Sequence, residues 1–291
     1  MNEMGKFVTD EARRVRMRAY GYLPEEEAYM RGDRLPPAGS VPRTTSPFLN
    51  SALFRDVFTR ASLRRMGDDV ELTWDIPDML RGIADVQDWD ENARLCEEER
   101  ARNPEFAAWL DAREPIRFDR EELARCAPGT FGAAVHEFIT VSGYDMFFMQ
   151  NAEPASDLEY IAKMLMNAHD LLHIISGFGP NMAGEHAVNS MNVAAVHKYF
   201  SPKFALAINK GTNFTMSTTV SRTLFNYPEG VPIMFEAMTR GIAAGQALPK
   251  PVFMFDFPSL IHRDLDELAA ELGFERGPGS AWDEMDPLML G

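Results

Sequence analysis

Wherever the chain shows a regular hydrophobic pattern, apolar residues recur at helical spacing, and no stretch alternates in the two-residue rhythm of a half-buried strand. In SPFLNSALFRDVFTRASLRRM, Phe48, Leu49, Leu53, Phe54, Val57 and Phe58 predict one helix. IPDMLRGIADV predicts a second, with Pro77 in its first turn, and NPEFAAWLDAR a third, with Asn103 as N-cap and Pro104 at the first helical position. DREELARC and APGTFGAAVHEFITVSG supply two more, the latter ending near Gly143. In SDLEYIAKMLMNAHDLLHIISGFG, Ser156 and Glu159 form an S-x-x-E capping box that starts a helix near residue 157. Leu158, Ile161, Leu165, Ala168, Leu172 and Ile175 keep its period, and Gly177 and Gly179 end it. EHAVNSMNVAAVHKYF, residues 204–210, residues 217–225, PIMFEAMTRGIAAGQAL and DLDELAAELGF complete the helical pattern. There are no hairpin pairs, no strand–helix alternation and no fixed repeat. The expectation is an all-α protein: an N-terminal arm and linker over 1–44, a single multi-helix domain over 45–275, and a C-terminal tail over 276–291.

The 291 residues are 45% hydrophobic, enough for a sizeable core. Twenty-nine basic against 44 acidic residues give a net charge of −15, which argues against nucleic acid as a partner. Cys96 and Cys126 are too few for a disulfide framework and form no C-x-x-C pair. The N-terminal stretch lacks the apolar core of a secretory signal, and no run of about 18 apolar residues could span a bilayer. A soluble cytoplasmic protein is expected, at most peripheral on the inner face of the cytoplasmic membrane. Residues 41–65 bear on that last point: Arg43, Arg55, Arg60, Arg64 and Arg65 against Asp56 make this stretch net +4. With Phe48, Leu49, Phe54 and Phe58 on the same helix it could lie on an anionic surface. An ordinary core helix with a basic solvent face explains it equally well.

One stretch carries candidate chemistry, HDLLHIISGFGPNMAGE at 169–185. His169 and His173 are four residues apart on a helix, so their imidazoles project from one face and can share a metal ion. Asp170 is offset by about 100°, beside that face, as a third ligand or an outer partner. After a seven-residue loop counted from Phe178, Glu185 falls in the first turn of the next helix. In an antiparallel hairpin that turn lies level with the last turn before the loop. The competing reading is two satisfied histidines and two solvated acids. The apolar flanks MLMNA and LLHII weigh against it, because buried acids and imidazoles need partners or a metal.

His186 is a candidate acid/base or outer donor, against the reading of a partly exposed polar residue. His136 could line the same site, whereas His197 and His262 read as surface or core histidines. H-E-x-x-H, phosphate-loop and nucleophile-elbow motifs are absent. Eighteen methionines and 20 phenylalanines fit a flexible core, or a pocket for a long apolar ligand.

The pattern H-D-x(2)-H-x(11)-E, formed by His169, Asp170, His173 and Glu185, resembles the signature of the Coq-four family of ubiquinone (coenzyme Q) biosynthesis proteins. PGTFGAAVHEFI at 128–139 resembles the family's helix ahead of the motif. GQALPKPVFMFDF with LDELAAELGF resembles its C-terminal end, so the resemblance runs over roughly 45–275. It implies four metal ligands at the motif, and decarboxylation with hydroxylation of a polyprenyl-hydroxybenzoate head group as the activity. Asp170 and His186 are then the catalytic candidates. It also implies other quinone-biosynthesis proteins as partners, with a homodimer left open. Nitrogen/oxygen ligation suits Zn2+ first, with iron, manganese or cobalt as alternatives. FMFDFPSLIH differs from the family's C-terminal stretch, and 198–230 has no counterpart. Two other readings therefore stay open: a prenyl-lipid-binding scaffold with a structural metal, and a relative acting on a steroid or aromatic catabolite.

Overall fold

The computed structural model describes residues 45–66, 72–142, 153–279 and 281–290, and among them there are fourteen α-helices, short 3-10 turns and no strand. The sole bridge among these residues joins Thr130 to Asp264. The chain divides into a unit ending at Asn50 and a unit from Ser51 onward. Of the first, helix α1 (Pro47–Asn50) is described, and the rest of the expected arm lies outside the described residues.

The single helix expected from Phe48 to Phe58 is interrupted at Ser51. Its backbone is extended and its hydroxyl accepts from Phe54 N at 2.9 Å, which starts helix α2 (Ala52–Leu63) afresh. Phe54 and Phe58 of α2 meet Phe214 edge to face, with centroids 5.7 and 5.4 Å away. Arg60 pairs with Asp56 and Asp78, and Arg64 with Asp75. The aromatic face therefore packs inward and part of the basic charge is matched locally, as in a core helix.

Helices α3 (Ile76–Asp85), α5 (Pro104–Ala112, capped by Asn103), α6 (Arg120–Leu123) and α7 (Phe131–Ser142) fall where the pattern puts them. Helix α4 (Trp89–Arg102) is not anticipated by periodicity. Its inward face carries Leu95 and Cys96 together with Asn92 and Glu99, too little apolar surface to read. Glu99, 1% exposed, is satisfied by Ser201 N and Arg102.

Helix α8 (Asp157–Ser176) begins at the Ser156 cap, where Glu159 Oε2 accepts from Ala155 N at 2.7 Å. Helix α9 (Met182–Tyr199) starts three residues before the expected EHAV, because Asn181 caps it. The connection is therefore the five residues Gly177–Asn181. Helices α10 (Pro202–Ile208), α11 (Lys210–Asn226), α12 (Val231–Ala247) and α13 (Leu265–Glu271) follow. α11 is longer than its apolar run because a polar turn, KGTNFT, extends it N-terminally.

Helix α9 is buried on nearly all sides and packs closely on α12. A Cβ on Gly241 would lie 2.1 Å from Ala187 O, and one on Gly245 2.2 Å from Met191 O, so both positions require the missing side chain.

The expected C-terminal tail is instead packed. Trp282 and Met285 are 0% exposed and Met289 is 2% exposed, and all three belong to the main core. Helix α14 (Met285–Leu290) ends the described chain. Trp282, Met285 and Met289 stand at i, i+3 and i+7, a helical spacing that the surrounding acids and prolines obscure, and they bury.

The α9–α12 contact yields a test. Helix propensity alone makes Gly241→Ala stabilising by about 1 kcal/mol. Overpacking against a backbone carbonyl costs about 1–3 kcal/mol and no rotamer relieves it. Packing should win, so the urea midpoint of Gly241→Ala should fall. A midpoint equal to or above wild type would show that the helices separate without cost.

Candidate metal centre

The last turn of α8 and the first of α9 lie side by side because the loop between them is short and stiffly closed. Gly177 takes the left-handed conformation (φ 69°) and donates to His173 O at 2.8 Å, ending α8. Asn181 Oδ1 accepts from Gly184 N at 2.8 Å, starting α9. A Cβ on Gly184 would lie 1.7 Å from Gly179 O, so loop and helix touch here.

This geometry brings three of the predicted ligands together. His169, His173 and Glu185 each offer one donor atom, and the three atoms lie within 4.8 Å of one another, a group that could hold a metal ion. Glu185 Oε2 is 3.5 Å from His169 Nε2 and Oε1 is 3.2 Å from His173 Nε2. His173 Nδ1 lies 2.7 Å from Phe178 O, a contact that requires the ring hydrogen on Nδ1. The other ring nitrogen, Nε2, then faces the carboxylate. Nε2 is buried and has no hydrogen-bond partner. A carboxylate oxygen and an imidazole nitrogen at this distance share a cation, either a proton on the ring or a metal ion. The second ring nitrogen held by a backbone carbonyl is the usual outer support of a metal-bound histidine.

Charge runs the same way. Burial raises the Glu185 pKa, but the two histidines outweigh it and hold the carboxylate below its ordinary range. Burial lowers the His169 pKa, while the charge and hydrogen bond of Glu185, with Asp170 adding, bring it above the ordinary value. The His169 side chain is 36% exposed and that of His173 10%, so the group is open on the His169 side.

The other candidates stand apart. Asp170 is outside the converging group and makes no hydrogen bond or ion pair among the described residues. Burial raises its pKa, Glu185 adds to that, and the histidines oppose it. His186 is 1% exposed and faces Thr223, with Nε2 3.4 Å from its hydroxyl. Burial, helped by Arg222 and opposed by Glu185, lowers its pKa to about 4. The reading of a partly exposed polar residue does not hold, because α9 is enclosed on that side too. His136 is half-buried on α7, and His262 is exposed with Nε2 3.7 Å from Glu122. What the sequence does not reveal is the Phe178 carbonyl, since a backbone group leaves no residue-type signal.

Fold and site together define a protein that is all-helical among the described residues, with a His/His/Glu hairpin that could hold a metal ion. The family described as "Coenzyme Q (ubiquinone) biosynthesis protein Coq4" matches the chain over residues 113–278. The chain belongs to the Coq4 family. That match includes 198–230, for which the sequence alone offers no counterpart, and begins after α5. A crystal structure of a Nostoc punctiforme protein named for ubiquinone biosynthesis has the same fold: TM-score 0.54 at 20% identity, over 68% of this chain and 87% of that one. No curated protein matches significantly.

Two outcomes are expected in metal-binding assays. Glu185→Ala or His173→Ala should reduce affinity for a divalent ion by more than the ~10–100-fold that loss of an outer partner costs. Because the His169 pKa is raised, its proton persists to higher pH and competes with the metal. Affinity should therefore fall as pH drops through the region at and just above the ordinary histidine value of 6.5. Titration calorimetry at several pH values checks both, and wild-type affinity in the variants or a flat profile would contradict this geometry.

Proposed function

We propose that the protein is a metal-dependent enzyme of ubiquinone biosynthesis, removing the ring carboxylate of a polyprenyl-hydroxybenzoate as carbon dioxide with hydroxylation at that carbon, water supplying the hydroxyl oxygen and dioxygen accepting the two electrons to leave as hydrogen peroxide. The observation that carries this reading is the facing pair His173 Nε2 and Glu185 Oε1, which calls for a cation, in a chain of the Coq4 family. His169, His173 and Glu185 would hold the metal, Zn2+ or a redox-active iron, manganese or cobalt. When bound, such an ion supplies positive charge that can hold a carboxylate and adjacent phenolate. Three protein donors, one of them a third exposed, are fewer than a closed structural zinc site uses, which favours access by substrate.

Asp170 has the environment of a proton carrier. It lies beside the ligands, is engaged in no hydrogen bond, and burial lifts its pKa toward the range useful for general acid–base work. In this reading it holds or passes on the proton released from the water that supplies the new hydroxyl, while the ligands stay in place.

A recess of about 640 Å³ between α9, α11 and α12 supports an apolar substrate. It is lined by Val193, Ala194, Met216 and Ile242, with Ser190 and His197 among its polar groups. Its size falls in the range of small-molecule sites. The recess equally favours a second reading, a prenyl-lipid scaffold with a structural metal. No helix among the described residues is long and apolar enough to cross a membrane.

Asp170→Asn separates the two readings. It should fold and keep its metal, yet lower turnover about 10²–10⁴-fold and fail to restore quinone synthesis in a deficient strain. Full complementation by a metal-replete variant would instead favour the scaffold.

A further inference from the structure

Both ends of the α8–α9 junction are held by one short stretch of chain, residues 276–279 and 281–286. Arg276 donates from Nη2 to Ile174 O at 3.1 Å and from Nε to Ile175 O at 3.2 Å. Gly277 N donates to Ser176 O at 2.8 Å. These are carbonyls of the last turn of α8, which have no partner within the helix. Across the loop, Asp286 Oδ1 accepts from Met182 N at 2.8 Å, at the first residue of α9. Asp283 Oδ1 accepts from Asn181 Nδ2 at 3.3 Å, and Asn181 is the residue that caps α9. Between these contacts the Trp282 ring, 0% exposed, packs 5.3 Å from that of Phe178, and the Arg240 guanidinium lies over both.

Each contact reaches a metal-binding side chain through one intermediate. Trp282 fixes Phe178, whose carbonyl sets the ring orientation of His173. Asp286 fixes the N–H of Met182, and one turn later α9 presents Glu185. The carboxylates also sit where the N-terminal helix dipole favours negative charge. Glu185 can meet His173 at 3.2 Å only if α9 starts at the right height beside α8. The loop has little slack for error, given the contact of Gly184 with Gly179 O. Neither Asp283 nor Asp286 belongs to the converging donor group. The family match ends at residue 278, so Trp282, Asp283 and Asp286 lie beyond it.

We infer that residues 276–279 and 281–286 form a strap that sets the cation affinity of the α8–α9 hairpin, with Asp286 as its positioning residue. The inference rests on the proposed metal site. A strap that merely stabilised the fold would lower the melting temperature but leave affinity unchanged in the folded protein. A strap that positions Glu185 changes affinity and coordination even where folding is complete.

The test is a Co(II) titration of the metal-free full chain, followed by the d–d absorption of the bound ion. It is run at a temperature where circular dichroism shows wild type and variant folded. Asp286→Ala should weaken cobalt binding about 10–100-fold, as loss of outer partners does, and shift the d–d bands. Asp286→Asn retains an acceptor oxygen for Met182 N and should restore most of the affinity. Unchanged affinity and spectrum in Asp286→Ala, or a loss that asparagine does not rescue, would overturn the inference. If Asp286→Ala does not fold, Asp283→Ala carries the test, since it removes only the contact to Asn181. A several-fold loss is then expected, and wild-type affinity would overturn the strap. Wild type that binds no cobalt sinks the metal site and the strap with it, whereas wild type that binds and variants that bind equally sink the strap alone.

Discussion

His173 Nε2 and Glu185 Oε1 face each other at 3.2 Å while the ring hydrogen of the histidine is committed to Phe178 O. With a proton on Nε2 the contact is an ion pair, and without one a metal ion would have to lie with the two atoms. An uncompensated buried charge costs several kcal/mol, so the hairpin tolerates the arrangement only with a proton or metal in place. The capped helix ends, the short loop and the packed C-terminal segment all act to keep these two atoms opposed rather than letting them drift apart into water.

The position of Glu185 is fixed from a distance because α9 cannot turn. Its backbone is pressed against Gly241 and Gly245 of α12 on one side, and His186 is enclosed against Thr223 on another. A rotation that freed Glu185 would drive backbone into backbone. Sites held on packed helices keep their geometry better than sites on loops. Here the loop itself is tied at both ends, and access remains on the His169 side, where the side chain is 36% exposed. The same burial gives Asp170 its raised pKa, so one packing arrangement produces both the donor group and its neighbouring carboxyl.

Much of this was legible in the sequence where a local rule coincided with the structure. Ser156, Asn103 and Gly177 mark helix ends through capping chemistry that needs no tertiary contact. The four-residue spacing of His169 and His173, with Glu185 just past a Gly/Pro loop, reads directly as one face meeting another. The misses have a common cause. α4 buries Asn92 and Glu99 beside Leu95, and 281–289 buries Trp282, Met285 and Met289 among acids, so in both the polar residues obscure a helix that tertiary contacts hold. Ser51 splits the first predicted helix because its side chain competes for a backbone N–H, an outcome that the apolar pattern on either side conceals. Asp170 follows His169 directly, yet adjacency in sequence does not bring its oxygens to the converging atoms.

X-ray absorption fine structure at the edge of the metal carried by the purified protein tests the central claim most directly. The account predicts imidazole scattering from two histidine nitrogens at about 2.0–2.1 Å with carboxylate or water oxygen at about 2.0–2.2 Å, and no sulfur shell near ~2.3 Å. A sulfur shell, or a first shell without the imidazole signature, would contradict it.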